Sequence, residues 1–278
     1  LMEQILHGKP VAEFIDQKTL SFLNSLPKDK ENVHMTAITV GDNPASLLYV
    51  SRKKDKAVEL GIDFHWEKLN ADTSQTDLNR VIAELSENTD GLIVQLPLPD
   101  HLDVVETINQ IPVELDVDGL TTQNLGMLFS EKQMLLPATT QAVLEMLSFY
   151  NIDTFDKNIV IAGRSRLVSA PLARVLSSKQ FNANVTVIHS KTSNQKEFIL
   201  NSDIFISAIG RAKMFDQSYF KPGCVVIDIG ISNVDGKTYG DIDPTNLETI
   251  AKYRAPYPGG VGPITVSALF YNLTKLIS

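Results

Sequence analysis

The chain has 278 residues, 43% of them hydrophobic and 21% charged, with a formal charge of -8. That is the make-up of an ordinary globular protein of one large or two medium domains. The negative balance argues against bulk steering toward nucleic acid, the lack of a long apolar span against a membrane helix, and the N-terminal composition against a signal peptide. A lone cysteine, Cys224 in Cys-Val-Val-Ile, excludes an intrachain disulfide framework and a cysteine-based metal cage. It reads as a buried inert thiol, with a reducing cytoplasm as the expected location.

In chain order, short apolar runs alternate with helical patterns. His34–Val40 reads as a strand. Asn43, a good N-cap, and Pro44, a good first helical residue, then open a helix to about Leu60, followed by Gly61. Ile62–Leu69 reads as a strand, Ser74 with Asp77 caps a helix to about Glu87, and Gly91–Leu96 is a buried strand stopped by Pro97. Asp103–Asn109 is a short helix, and Pro112–Pro137 a loop-rich stretch. A second series follows. Thr139–Tyr150 reads as a helix, Asn158–Ala162 as a strand and Leu167–Ser178 as mostly helix. Asn184–Ile188, Asp203–Ser207 and Val225–Asp228 read as strands, and a closing helix carries Val266, Leu269, Phe270, Leu273, Leu276 and Ile277 on one face. The alternation predicts an α/β protein of two domains with parallel strands. Residues 1–137 form the first domain, with 264–278 packing back on it, and residues 138–263 form a second, Rossmann-like domain. The hinge is expected near Pro137, and ligands at strand carboxyl ends.

Within the first helix, Tyr49 and Lys53 are four residues apart and share a face. A ring beside an ammonium can hold a flat substrate and move a proton over it, although the surrounding Arg52, Lys54 and Lys56 also suit a solvated basic face. Gln95 closes a buried strand, pointing at a cleft or satisfying a loop. Asp116 and Asp118 lie in a turn, as Asx-type caps or as acceptors for a guanidine-like ring edge. In the second series, Gly163-Arg164-Ser165 follows a strand and precedes a helix, where a backbone can turn toward a phosphate. The next strand ends in His189-Ser190-Lys191-Thr192, with no acid to bind ribose hydroxyls. Ser190 and Lys191, with Arg164 and Ser165, suit a 2′-phosphate and favour NADP over NAD. Pro256–Pro263 holds three glycines and three prolines, a loop that allows close backbone approach.

Taken in order, Gly41-Asp-Asn-Pro-Ala-Ser46 with Tyr49 and Lys53, Val94-Gln95-Leu-Pro-Leu-Pro99, Asp116-Val-Asp-Gly-Leu-Thr121, Gly163-Arg-Ser165, His189-Ser-Lys-Thr192 and Pro258-Gly-Gly-Val-Gly-Pro263 resemble the methylenetetrahydrofolate dehydrogenase/cyclohydrolase family across nearly the whole chain. The resemblance implies a homodimer with a folate cleft between two α/β domains. It implies NADP-dependent oxidation of 5,10-methylenetetrahydrofolate to the methenyl cation, then hydrolysis to 10-formyltetrahydrofolate. It gives Lys53 the acid/base role in hydrolysis, with Gln95 orienting it and Tyr49 stacking on the folate. Asp118 would hold the pterin edge and Ser46 line the pocket. Pro258, Gly259 and Gly262 would form the substrate loop, and Ile231 would join the cofactor residues. No metal, nucleic-acid or membrane partner is implied. The chain departs from the family pattern at Ala138 and Thr140 of Pro137-Ala-Thr-Thr140, at Ser169 in place of a glycine, at Arg211-Ala212 where a proline is common, and at Ile264 in place of a methionine.

The Tyr-x-x-x-Lys pair also resembles that of short-chain dehydrogenases. In those enzymes the nucleotide glycines precede the pair, whereas Gly163 follows it here. A monofunctional methylenetetrahydrofolate dehydrogenase would carry the same nucleotide motifs, and so would a nucleotide- or folate-binding protein without turnover. Lys53, Gln95 and Asp118 together argue against the second of these.

Overall fold

The computed structural model describes residues 3–27, 32–130 and 135–278. A two-residue strand β1 (Gln4–Ile5) and a helix α1 (Gly8–Leu23) open the described chain. Neither is expected from the sequence patterns above. α1 nevertheless has a helical signature, with Pro10 in its first turn and Val11, Ile15 and Thr19 fully buried at four-residue spacing.

β2 (His34–Val40) leads into α2 (Pro44–Leu60). The Asn43 side chain accepts from the amides of Ala45 and Ser46, and Gly61 ends the helix at φ 71°. That left-handed turn suits a residue without Cβ. β3 (Asp63–Leu69) follows, then α3 (Gln75–Ser86), whose N-cap Ser74 accepts from Asp77 N. β4 (Gly91–Val94) stops one residue short of Gln95, though Gln95 N still donates to Ile38 O at 2.8 Å. Strand order is β3-β2-β4, all parallel. α4 (Val104–Asn109) is capped by Asp103. The loop-rich stretch contains α5 (Thr122–Phe129), capped by Thr121. Gly126 in its middle weakens the local helical signal. Residues 131–134 of that stretch lie outside the described residues.

α6 (Ala138–Phe149), β5 (Asn158–Ala162), α7 (Ser169–Leu176), β6 (Asn184–Ile188), α8 (Gln195–Leu200), β7 (Ile204–Ser207) and β8 (Val225–Asp228) make the second series. α7 begins two residues later than its pattern suggests, because Arg166–Val168 form a turn. β9 (Ser232–Val234) and β10 (Lys237–Tyr239) form an antiparallel hairpin, and β11 (Tyr253–Ala255) and α9 (Val261–Leu276) complete the chain. The larger sheet runs β1-β11-β8-β7-β5-β6, every pair parallel. β7 and β8 are buried along their whole length, as expected of inner strands in a parallel sheet.

The chain divides into two compact units, Leu1–Ala12 with Thr139–Thr265, and Glu13–Ala138 with Val266–Ser278. Residues 3–12 thus cluster with the second series of elements. Gln4 and Ile5 register with Tyr253 and Arg254, the Arg254 guanidinium forks onto Glu3 at 2.7 and 3.1 Å, and Gly8 N donates to Gly259 O. In the other unit, Val266, Leu269, Phe270 and Leu273 of α9 pack with Met35, Ala37, Val50, Ala57 and Ile93. Burying such side chains stabilises by roughly 1.5–3 kcal/mol each.

Candidate active site

The buried face of α2 is Ser46, Val50, Lys53, Ala57 and Leu60, at alternating spacings of four and three. A lysine thus occupies a core position between the apolar Val50 and Ala57. Arg52 and Lys54 point to solvent, and Lys56 pairs with Asp16 and Glu59. The basic cluster splits into three exposed or paired cations and one buried one.

Lys53 is 8% exposed, and its Nζ donates to Gln95 Oε1 at 2.9 Å. Gln95 is held in turn, since its Nε2 donates to the Leu96 carbonyl at 2.8 Å, leaving Oε1 facing the lysine. The same carbonyl accepts from Ser46 Oγ at 3.4 Å, so the ends of β4 and α2 are tied at one oxygen. Burial pulls the Lys53 pKa below its usual 10.5, and the charge of Asp118 opposes that shift. Asp118 is raised by burial, against the pull of Lys53, with Asp116 adding to the rise. As a whole residue Asp118 is partly exposed, while its carboxyl is enclosed enough for desolvation to lead. Tyr49 lies one turn before Lys53, half-buried, with the Arg52 guanidinium 6.0 Å from its ring centroid.

The two turn carboxylates separate by role. Asp116 is buried and accepts from Leu120 N, Thr121 N and Asn124 Nδ2, which makes it a structural cap. Asp118 is the one electrostatically linked to Lys53. Its segment is fixed by Asn272 of α9, whose Nδ2 donates to Val117 O at 3.0 Å and Leu136 O at 2.8 Å. No sequence motif points to Asn272. Its only signal there is a polar residue beside the apolar face of the last helix.

In the other unit a cavity of about 300 Å³ opens at the carboxyl ends of β5, β6 and β7. Gly163, Arg164, Ser165, His189 and Ser190 line one side, and Ala208, Ile209, Arg211, Met214 and Phe215 the other. Gly163 has φ 118°, and a Cβ there would lie 2.7 Å from both Ala208 O and Ser169 Oγ. Ser165 Oγ accepts from Leu167 N, and His189 and Thr192 close a tight turn on each other. Lys191 is exposed beside this cavity and is not one of its lining residues; Ile231 is half-buried and likewise not among them. Gln195, Ile209, Met214 and Phe215 are lining residues that sequence reasoning misses, because they come from the segment after β7 and from α8, where no motif marks them; Arg211 is marked there only as a departure from the family pattern. The Ser169 hydroxyl is buried without a hydrogen-bond partner among the described residues. Pro258, Gly259 and Gly262 belong to this same unit. Gly259 takes φ 97°, and Gly262 and Pro263 lie within the first turn of α9.

The structure therefore brings together Lys53, Gln95, Asp118 and Ser46, with Tyr49 one helical turn away. It groups Gly163, Arg164, Ser165 and Ser190 around one cavity at the strand ends.

The model of the tetrahydrofolate dehydrogenase/cyclohydrolase catalytic domain matches residues 6–118, and that of the corresponding NAD(P)-binding domain residues 137–278. The bifunctional protein FolD of Lactobacillus acidophilus is 39% identical over 277 residues, 99% of this chain and 97% of that one. That of Acholeplasma laidlawii is 38% identical over 279 residues, covering 98% and 97%. Among solved structures, the bifunctional FolD methylenetetrahydrofolate dehydrogenase/cyclohydrolase of Campylobacter jejuni superposes with a TM-score of 0.93 at 33% identity, covering 99% of this chain and 98% of that one. The Trypanosoma brucei enzyme, complexed with NADP cofactor and inhibitor, gives 0.93 at 30% identity, covering 99% and 97%. With two family models spanning most of its length and full-length relatives near 39% identity, the chain belongs to the tetrahydrofolate dehydrogenase/cyclohydrolase family.

Proposed function

We propose that this protein oxidises 5,10-methylenetetrahydrofolate to the 5,10-methenyl form with NADP and hydrolyses that product to 10-formyltetrahydrofolate. The observation that carries the reading is the buried Lys53 ammonium held 2.9 Å from Gln95 Oε1, with Asp118 as its charged neighbour, in a chain of this family.

The cofactor residues fit NADP. A glycine turn with no room for a Cβ, two serines and an arginine surround the strand-end cavity, and Ser190 stands where an NAD site carries an acid. NADP supplies a hydride acceptor there. Arg164, Ser165 and Ser190 bind its 2′-phosphate, with Lys191 adding charge from the rim and Ile231 contributing to the site. The chain's part in oxidation is alignment, which needs no proton transfer from Lys53.

Hydrolysis needs a base. Water adds to the cationic methenyl carbon, the bond from that carbon to one nitrogen breaks, one water proton ends on that nitrogen, and the other leaves. Lys53 takes that proton. Burial increases its neutral fraction, and a cationic substrate nearby increases it further. Gln95 orients Nζ, Asp118 binds the pterin edge through paired N–H donors, Tyr49 stacks on the ring and Ser46 lines the pocket. Pro258, Gly259 and Gly262 form a substrate loop. We also propose a cytoplasmic homodimer, supported by the family resemblance and by a single buried cysteine. No helix of the described residues is long and apolar enough to cross a membrane.

One absorbance assay tests the function. NADPH formation and methenyl decay are followed together, with NADP and NAD in parallel. Both signals above background, stronger with NADP, are expected. NADPH formation without methenyl decay would reduce the protein to a monofunctional dehydrogenase, and neither signal would overturn the reading.

A further inference from the structure

The far wall of the nucleotide cavity, Ala208 to Phe215, contributes five lining residues, yet none of them belongs to a glycine-turn or phosphate motif. Something must fix this segment, which leaves the sheet at the end of β7 without entering a helix. The fixing group is one carboxylate. Asp241 is fully buried, and its Oδ2 accepts from Ser207 Oγ at 2.6 Å and Ile209 N at 2.8 Å, while its Oδ1 accepts from Arg211 N at 2.7 Å. The backbone around Asp241 continues the grip. Lys213 N donates to Gly240 O, Phe215 N to Asp241 O and Asp243 N to Phe215 O.

Asp241 is itself set in place. Asp228, at the end of β8, accepts from Asp241 N at 3.1 Å and from Ile242 N at 3.0 Å. Two glycines leave room for the carboxylates. A Cβ at Gly230 would overlap the Asp241 carboxylate, and one at Gly240 would overlap Asp228 Oδ2. The wall so held is the one the glycine turn leans on, since the Gly163 Cβ position lies 2.7 Å from Ala208 O. A buried carboxylate collecting three donors is a strong local constraint: without it the buried Ser207 hydroxyl would be left unsatisfied, and the amides of Ile209 and Arg211 would lose their shared anchor.

We propose that Asp241 is a positioning residue for the cofactor: it shapes the Ala208–Arg211 wall, and thereby nucleotide affinity, while leaving the hydrolytic chemistry alone. This rests on the NADP reading above. It goes beyond that reading by assigning cofactor affinity to a side chain that does not line the cavity.

The test uses the full-length protein with Asp241→Asn. An amide has one acceptor oxygen, and its NH2 would face donors. Binding of NADPH, followed by its fluorescence, is expected to weaken by roughly tenfold or more, with KM for NADP rising in parallel. Hydrolysis of methenyl substrate without NADP, which depends on Lys53 and Gln95 in the other unit, is expected to stay within about twofold. Unchanged NADPH binding overturns the proposal. So does equal loss of both activities, which would make Asp241 a general stabiliser of the fold. Ser207→Ala, which removes one donor and no charge, decides the matter if the asparagine variant does not fold. It should weaken NADPH binding by about threefold to tenfold and spare hydrolysis, and wild-type binding would overturn the idea. A wild-type protein that fails to bind NADPH would instead refute the functional reading, so the two failures are distinguishable.

Discussion

Replacing Lys53 with methionine keeps the length and most of the volume of a side chain on the buried face of α2 while removing the nitrogen. The structure sets the expected size of the effect. Among the described residues, Nζ donates to Gln95 Oε1 at 2.9 Å, and Asp118 is the charge that acts on it. Loss of a positioned general base typically costs about 10²–10⁴ in rate, or about 2.7–5.4 kcal/mol of barrier. Methenyl hydrolysis should fall by roughly that factor, while NADPH formation at saturating substrate stays within about fivefold, since hydride transfer depends on alignment. Stability should change little. One charged hydrogen bond, worth about 1.5–3 kcal/mol, is lost and the Gln95 oxygen is left unpaired, but a buried ammonium is no longer desolvated. The sign with pH follows from the lowered pKa. The unfolded chain holds this proton more tightly than the folded one, so wild-type stability rises with pH through the window between the folded pKa and 10.5. Methionine removes that dependence, and the variant compares best with wild type at the lower end of the window. The assay is methenyl decay by absorbance beside NADPH formation, with urea unfolding at two pH values. Hydrolysis at the wild-type rate would refute Lys53 as the base.

Asp118→Asn removes the charge that supports the Lys53 ammonium, so the acid limb of the hydrolysis pH profile should move to lower pH while KM for folate rises about tenfold or more; an unmoved limb would separate the two residues. Gly163→Ala sets a Cβ 2.7 Å from Ala208 O at a backbone φ of 118°, and should raise KM for NADP at least about tenfold without changing Lys53-dependent hydrolysis, measured in parallel assays. Ser169→Ala deletes a buried hydroxyl that has no partner among the described residues, so denaturant unfolding should show stability unchanged or increased by up to about 1 kcal/mol; a clear loss would mean the hydroxyl is satisfied in solution.

Much of this protein is determined by local chemistry and is legible in the chain itself. Asn43-Pro44 and Gly61 bound α2 because capping and left-handed termination involve neighbours within a few residues. The inner strands β2, β5, β7 and β8, and the fully buried edge strand β4, declare themselves as apolar runs because both faces are covered. The four-residue interval between Tyr49 and Lys53 already places both on one side of a helix. Tertiary structure alone decided the rest, because those contacts close across long stretches of chain. Lys53 reaches Gln95 over 42 residues, and that pairing distinguishes it from Arg52, Lys54 and Lys56. Asp116 and Asp118 look equivalent in one turn until Asn124 and the Thr121 amide claim the first and Lys53 the second. β1 and β11 are too short to announce themselves: β11 pairs with β8, and β1 exists because β11, about 250 residues away, supplies its hydrogen bonds. Asn272 and Asp241 carry no motif at all. Their roles arise only where folding brings backbone donors and carbonyls to one buried side chain, and no spacing within the sequence records that convergence.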